Sequence, residues 1–108
     1  MFGGEALAFM TKAAFVAASR RSRRLCVLAS SERIDFRHPV ALGSIVEVVA
    51  RVADVGRSSM RIAVELWSEE LLSGRRRRTA QGVFVMVAVG ADHRPVPVVP
   101  RDIVGKPS

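Results

Sequence analysis

The chain has 108 residues, 49% of them hydrophobic and 25% charged, which is enough apolar matter for one buried core and too much for a disordered chain. A single cysteine, Cys26, excludes a disulfide framework and a zinc site of the two-cysteine type, and no apolar run reaches the ~20 residues of a membrane-spanning helix. The net charge of +7 suits an anionic partner such as nucleic acid or a phosphorylated ligand, yet an arginine-rich chain with this much Ala and Val fits a nucleotide-composition bias equally well.

The first predicted element is a helix. From Glu5 to about Arg20 there is no Gly or Pro, and Ala, Leu, Met and Phe dominate. Apolar residues cover nearly every side, Thr11 and Lys12 excepted, which predicts a helix wrapped by other structure. Gly3-Gly4 precede it, so its first free N–H groups lie beside backbone without Cβ bulk. Ser19-Arg20-Arg21-Ser22-Arg23-Arg24 end it and set cations at the negative end of the helix dipole. The arginines follow the apolar stretch Ala6 to Ala18, the reverse of a secretory signal, so a soluble, cytoplasmic protein is expected.

After the helix the period changes to two. Leu28, Ser30, Glu32, Ile34 and Phe36 are expected on one side of a strand, with Ser31, Arg33, Asp35 and Arg37 on the other. His38-Pro39 and Gly43 mark a loop. Ile45 to Val55 is a second strand with Val46, Val48, Ala50 and Val52 on its apolar face, and Gly56-Arg57-Ser58-Ser59 makes a tight turn. A third strand runs from Met60 to about Leu71, Ser73-Gly74 turns the chain, and Arg75 to Val89 forms a fourth. Connections this short require antiparallel pairing. The Pro-rich segment 91–108 reads as extended coil with no core of its own, which sets a domain at 1–90.

Several residues now form an ordered series: Met1-Phe2-Gly3-Gly4-Glu5-Ala6-Leu7, Met10, Ala14, Arg33-Ile34-Asp35-Phe36, Pro39, Gly43, Val55-Gly56-Arg57-Ser58-Ser59-Met60 and Val87-Ala88-Val89. Over roughly residues 1 to 100 this series resembles the acyl-CoA thioesterase family of the hotdog fold, of the bacterial acyl-CoA thioester hydrolase type. The resemblance implies an α+β fold in which a long antiparallel sheet wraps one central helix. It also implies hydrolysis of acyl-CoA to a free acid and CoA without metal or redox cofactor. At least a dimer is expected, with active sites at the subunit interface, and a trimer of dimers is the larger assembly it allows. The sequence departs from the family pattern twice. Members carry a strand and an Asn-containing loop ahead of the Phe-Gly-Gly motif, so that first strand is expected to be missing and a neighbouring sheet edge open. Their helix reads Met-Asp where this one reads Met10-Thr11, so the expected catalytic carboxylate is absent.

Thioester hydrolysis needs an activated water and donors for the charge that develops on the carbonyl oxygen. The backbone of Gly3 and Gly4, with Glu5, offers such donors at the positive end of the helix dipole; the other reading of a glycine pair is a tight entry turn. Thr11 lies seven residues beyond Gly4 and so on the same helix face, in the position of the base. A hydroxyl there either orients a water, with Glu5, or Glu32 or His38 of a second subunit, taking the proton, or bonds back to the Leu7 carbonyl. Gly56-Arg57-Ser58-Ser59 offers backbone N–H groups, an arginine and hydroxyls to the phosphates of CoA, and is otherwise an ordinary hairpin. Phe36 and Pro39 are expected to line the acyl or pantetheine channel.

Arg75 to Arg78 would run back beside Glu69 and Glu70 and pair across strands, and Arg20 to Arg24 are explained by the helix end. Neither cluster is interleaved with aromatics, which argues against single-stranded nucleic acid as a partner. Two readings compete with the enzyme. One is a non-catalytic acyl-CoA-binding hotdog protein, favoured by Thr11; the other is a basic nucleic-acid-binding protein, resting on charge alone.

Overall fold

Twenty residues without proline, opening on two glycines and closing on arginines, form the helix α1 (Gly3–Ser22). Four strands follow: β1 (Leu25–Phe36), β2 (Ile45–Val55), β3 (Ser59–Glu69) and β4 (Arg76–Val89). This is a computed structural model and describes residues 3–98, with side chains from residue 5 onward. The strands form one antiparallel sheet in the order β1-β4-β3-β2, and α1 packs across it, touching all four strands. Gly3 and Gly4 are the first two residues of the helix itself, not a turn ahead of it. Among the described residues, no helix is long and apolar enough to cross a membrane.

The core lies between the helix and one face of the sheet. From α1 come Ala6, Met10, Ala14 and Ala18, four residues apart, all buried. From the sheet come the paired rows Met60 opposite Met86, Ile62 opposite Phe84 and Leu66 opposite Ala80, likewise buried. Three alanines in the helical stripe let the backbone approach the sheet closely, and the larger Phe84, Ile62 and Met10 fill the space between. On β2 the face with Val46, Val48, Ala50 and Val52 packs against this core, as the alternation predicts.

The helix is not wrapped, however. Phe9 and Val16, on the side away from the buried stripe, are 48% and 44% exposed, and Leu7 and Phe15 on its flank are exposed as well. A single sheet covers only one side of a helix, so an all-round apolar sequence leaves the other side bare. The helix ends at Arg23, whose φ of 56° and N–H bond to the Ser19 carbonyl (2.7 Å) form a left-handed cap.

β1 also departs from simple alternation. Its pairing with β4 slips between Leu28 and Ser30 and again between Glu32 and Asp35, and Arg33 sits at φ 55°. Each slip exchanges the two faces. Leu28, Ser31 and Phe36 oppose the buried Met86, Phe84 and Ala80, whereas Ser30 and Glu32 oppose the outward Val85 and Val83. Among the described residues β2 pairs only with β3, so its second edge is open.

The segment after β4 is extended but contributes to the core. Val96 donates to the Ala88 carbonyl (2.9 Å), Val98 donates to the Arg57 carbonyl (2.7 Å), and Val98 is buried. The prolines at 100 and 107 fall outside the described residues.

Candidate active site

The first three N–H groups of α1, on Gly3, Gly4 and Glu5, have no acceptor within the helix and stand at the positive end of its dipole. From Glu5 an open depression of about 230 Å³ runs along the helix flank, lined by Glu5, Ala8, Phe9 and Lys12. Glycine at the first two positions sets no Cβ of its own beside those N–H groups. The arrangement suits a carbonyl oxygen that gains negative charge.

Thr11 stands two turns further along. Its hydroxyl donates to the Leu7 carbonyl at 2.8 Å. With the proton so engaged, the oxygen can still accept a hydrogen bond but cannot act as a base. Of the helpers considered for it, Glu5 is exposed at the depression. Glu32 faces outward from the sheet and pairs with Arg61 at 2.6 Å, away from the helix. His38 is exposed on the 37–44 loop, its backbone N–H 3.3 Å from the Thr79 carbonyl.

The loop Gly56-Arg57-Ser58-Ser59 is closed by a bond from the Gly56 N–H to the Ser59 carbonyl (2.8 Å), so that donor is not available to a phosphate. The carbonyls of Arg57 and Ser58 accept from Val98 and Ala88, which pins the loop between β4 and the last described residues. The Arg57 side chain remains exposed, with the Ser58 and Ser59 side chains half-buried beside it.

The candidate residues do not form one group within a chain. Phe36 opposes Ala80 and Ser59 opposes Val87, so seven residues of β4, about 23 Å, separate the end holding Phe36 from the 56–59 loop. The helix repeats the division. Ser22 lies against Cys26 near the loop's end of the sheet (Oγ to Sγ 3.4 Å), and Gly3 is ~28 Å of helical rise away. Within one chain Pro39 lines a polar pocket with Ser44, Ser68, Arg75 and Arg77.

Two features go beyond what the sequence predicts, the second of them an extension of the expected cross-strand pairing to Glu65 and Glu47. One is the clamp of Val96 and Val98 on the 56–59 loop, whose alternating valines are a strand signal hidden by the intervening prolines. The other is the ion-pair ladder on the outer face. Arg78 pairs with Glu65 at 3.0 Å, and Arg76 reaches both Glu69 (3.8 Å) and Glu47 while lying 5.4 Å from the Trp67 ring centroid. The expected pairing of Glu69 is found, but Glu70 accepts from the Ser73 hydroxyl instead (3.2 Å). The Arg78 guanidinium holds the Glu65 carboxyl below its ordinary range, by hydrogen bond first.

The chain is similar to known proteins along most of its length. Residues 1–74 match the family model of the thioesterase superfamily. A crystal structure of an acyl-CoA hydrolase from Agrobacterium tumefaciens is 62% identical, with a TM-score of 0.84 over 91% of this chain and 38% of that one. A hexameric thioesterase from Yersinia pestis is 30% identical, with a TM-score of 0.87 over 93% of this chain and 81% of that one. A Bacillus subtilis protein named as an uncharacterised acyl-CoA thioester hydrolase is 34% identical over 91% of this chain, which spans 57% of that relative's length. The single helix on an antiparallel sheet is thus the hotdog arrangement of these structures.

Proposed function

This chain belongs to the thioesterase superfamily, and from that premise we propose that it hydrolyses acyl-CoA thioesters to a free carboxylic acid and CoA at a site shared by two copies. The observation that carries the reading is the start of α1, where Gly3 and Gly4 offer helix N–H groups with no Cβ of their own and an open depression begins at Glu5. The names of the Agrobacterium and Bacillus relatives support the substrate class.

In this mechanism the thioester carbonyl oxygen accepts from the Gly3 and Gly4 N–H groups. Water attacks the carbonyl carbon, and the negative charge that moves to the oxygen is stabilised by those donors and the helix dipole. The C–S bond then breaks, the acid leaves with the water's oxygen, and the proton lost by the water ends on the CoA sulfur. Thr11 accepts a hydrogen bond from the water and so orients it. Glu5 lies about 120° around the helix from Thr11, so the water's proton passes to the leaving sulfur without it. A water-orienting hydroxyl without a carboxylate at position 11 implies slow turnover.

The distance between Gly3 and the 56–59 loop is what calls for a second copy. CoA held by Arg57, Ser58 and Ser59 of one copy would present its thioester to the helix start of the other. The bare helix side with Phe9 and Val16 supplies apolar surface for such a contact. The hexameric Yersinia relative supports self-assembly, with a trimer of dimers as the specific form proposed.

Release of free thiol from a panel of acyl-CoAs is the test. Turnover that falls when Arg57 is replaced by Ala, chiefly through a raised KM, is expected. Binding of CoA esters with no thiol released would favour the non-catalytic reading. No binding and no turnover would end both.

A further inference from the structure

Two loops that the proposed reaction does not use meet at one end of the sheet and present three leucines to water. Leu42 is 101% exposed on the loop before β2, and Leu71 and Leu72 are 66% and 99% exposed on the turn between β3 and β4. Together they border an open depression of about 380 Å³. A leucine left in water forgoes roughly 1.5–3 kcal/mol of burial, so three at one tip mark a surface that something covers.

The tip is built, not frayed. Glu70 donates its N–H to the Arg75 carbonyl and accepts from the Gly74 N–H, both at 2.9 Å, and Gly74 takes the left-handed φ of 72° that closes the turn. The Ser73 hydroxyl donates to the Glu70 carboxylate (3.2 Å), and across from it the Ser44 backbone N–H donates to the Ala41 carbonyl (3.1 Å). Directly beside the leucines is a second, polar pocket of about 280 Å³ that shares Ala41, Ser44 and Glu70 with the first. Arg75 and Arg77 line it, and neither forms an ion pair with a described residue.

We propose that this end of the molecule docks reversibly on an anionic lipid surface, with Leu42, Leu71 and Leu72 entering the acyl boundary and Arg75 and Arg77 holding lipid phosphates. Charge selects this occupant. Glu70 is the one carboxylate lining the two pockets and is engaged by the Ser73 hydroxyl, so Arg75 and Arg77 leave the rim of this apolar tip positive, which matches an anionic bilayer, apolar beneath and negative at its surface. A second copy meeting the same patch about a two-fold axis would set Arg75 and Arg77 against their own like charges. Docking of this kind needs no spanning segment.

Flotation of the full chain with vesicles tests it. Partition is expected into phosphatidylcholine vesicles containing phosphatidylglycerol, and not into phosphatidylcholine alone. The variant Leu42→Ser/Leu72→Ser alters side chains that contact nothing in the fold, so it should keep the wild-type circular dichroism while losing at least about tenfold in partition. Arg75→Gln and Arg77→Gln should each lose about fivefold. Absence of partition into anionic vesicles overturns the proposal, as does partition unchanged in the leucine variant. A concentration-dependent rise in particle size that the leucine variant abolishes, with no vesicle binding, assigns the tip to a second copy instead. None of these readouts depends on turnover.

Discussion

Thr11 and Leu7 stand one helical turn apart, and the hydroxyl of the first donates to the carbonyl of the second at 2.8 Å. The bond fixes which half of the hydroxyl's chemistry is free. Thr11 can accept from a water but has no proton to give and no basicity to offer. Thr11→Val, which keeps the shape and removes the acceptor, should lower kcat for thiol release by about fivefold to tenfold, the size of one hydrogen bond. Thr11→Asp should raise it by about 10²-fold, because a carboxylate in that place can take the proton of the attacking water. An aspartate variant no faster than wild type would remove position 11 from the reaction.

Gly82 makes a different kind of constraint. It lies on β4 opposite the second slip of β1, where Ile34 folds over it, and a Cβ added at Gly82 would collide with Ile34 Cδ1 and lie 3.5 Å from its Cα. Gly82→Ala should therefore turn the Ile34 terminal methyl aside and destabilise the fold by about 0.5–1.5 kcal/mol in urea unfolding, the cost of an off-rotamer side chain. Ile34→Val removes the offending methyl, so the double variant should be more stable than the sum of the two single changes. Strict additivity would place the strain elsewhere.

These two positions also show how far sequence reasoning reaches. The back-bond of Thr11 is a local event, four residues along one helix, and could be anticipated from residue type and spacing. The strand boundaries of β2 were equally legible, because Val46, Val48, Ala50 and Val52 alternate without interruption. β1 was not, since its second slip lies against Gly82, 48 positions further along the chain than Ile34, and a period of two has no means of announcing an extra residue. The site suffered most. Gly3, Phe36 and the 56–59 loop are each motifs a sequence can display, but their separation across the length of the sheet appears only when register joins Phe36 to Ala80 and Ser59 to Val87.

The outer-face pair of Glu65 and Arg78 predicts a pH dependence. The hydrogen bond from Arg78 lowers the Glu65 pKa in the folded chain relative to the unfolded one. The stability this gives is present at neutral pH and lost as pH falls from about 4.3, the ordinary glutamate value, through the lower folded value. Arg78→Gln should thus unfold more readily than wild type at pH 7, and the gap should narrow as the solution is acidified. Both side chains are about a third exposed, so solvent screening keeps the effect small. A gap constant from neutral pH down to strong acid would mean the pair contributes nothing through its charge.

The helix carries the sharpest contrast, between two residues whose positions differ by two. Ala14 is wholly buried against the sheet, and Val16 is 44% exposed on the opposite side. Ala14→Leu forces a larger side chain into a packed stripe and should cost about 1–3 kcal/mol of stability in each chain. Val16→Glu should leave the stability of a single chain within about 0.5 kcal/mol, since the side chain has no place in the core. If the bare helix side is where two copies meet, the same change places a charge in an apolar contact, and the assembly should dissociate in size-exclusion chromatography with light scattering. Thiol release should fall with it, because the 56–59 loop of one copy would no longer reach the helix start of the other. An assembly that survives Val16→Glu intact, with full turnover, would show that the copies meet through a different surface.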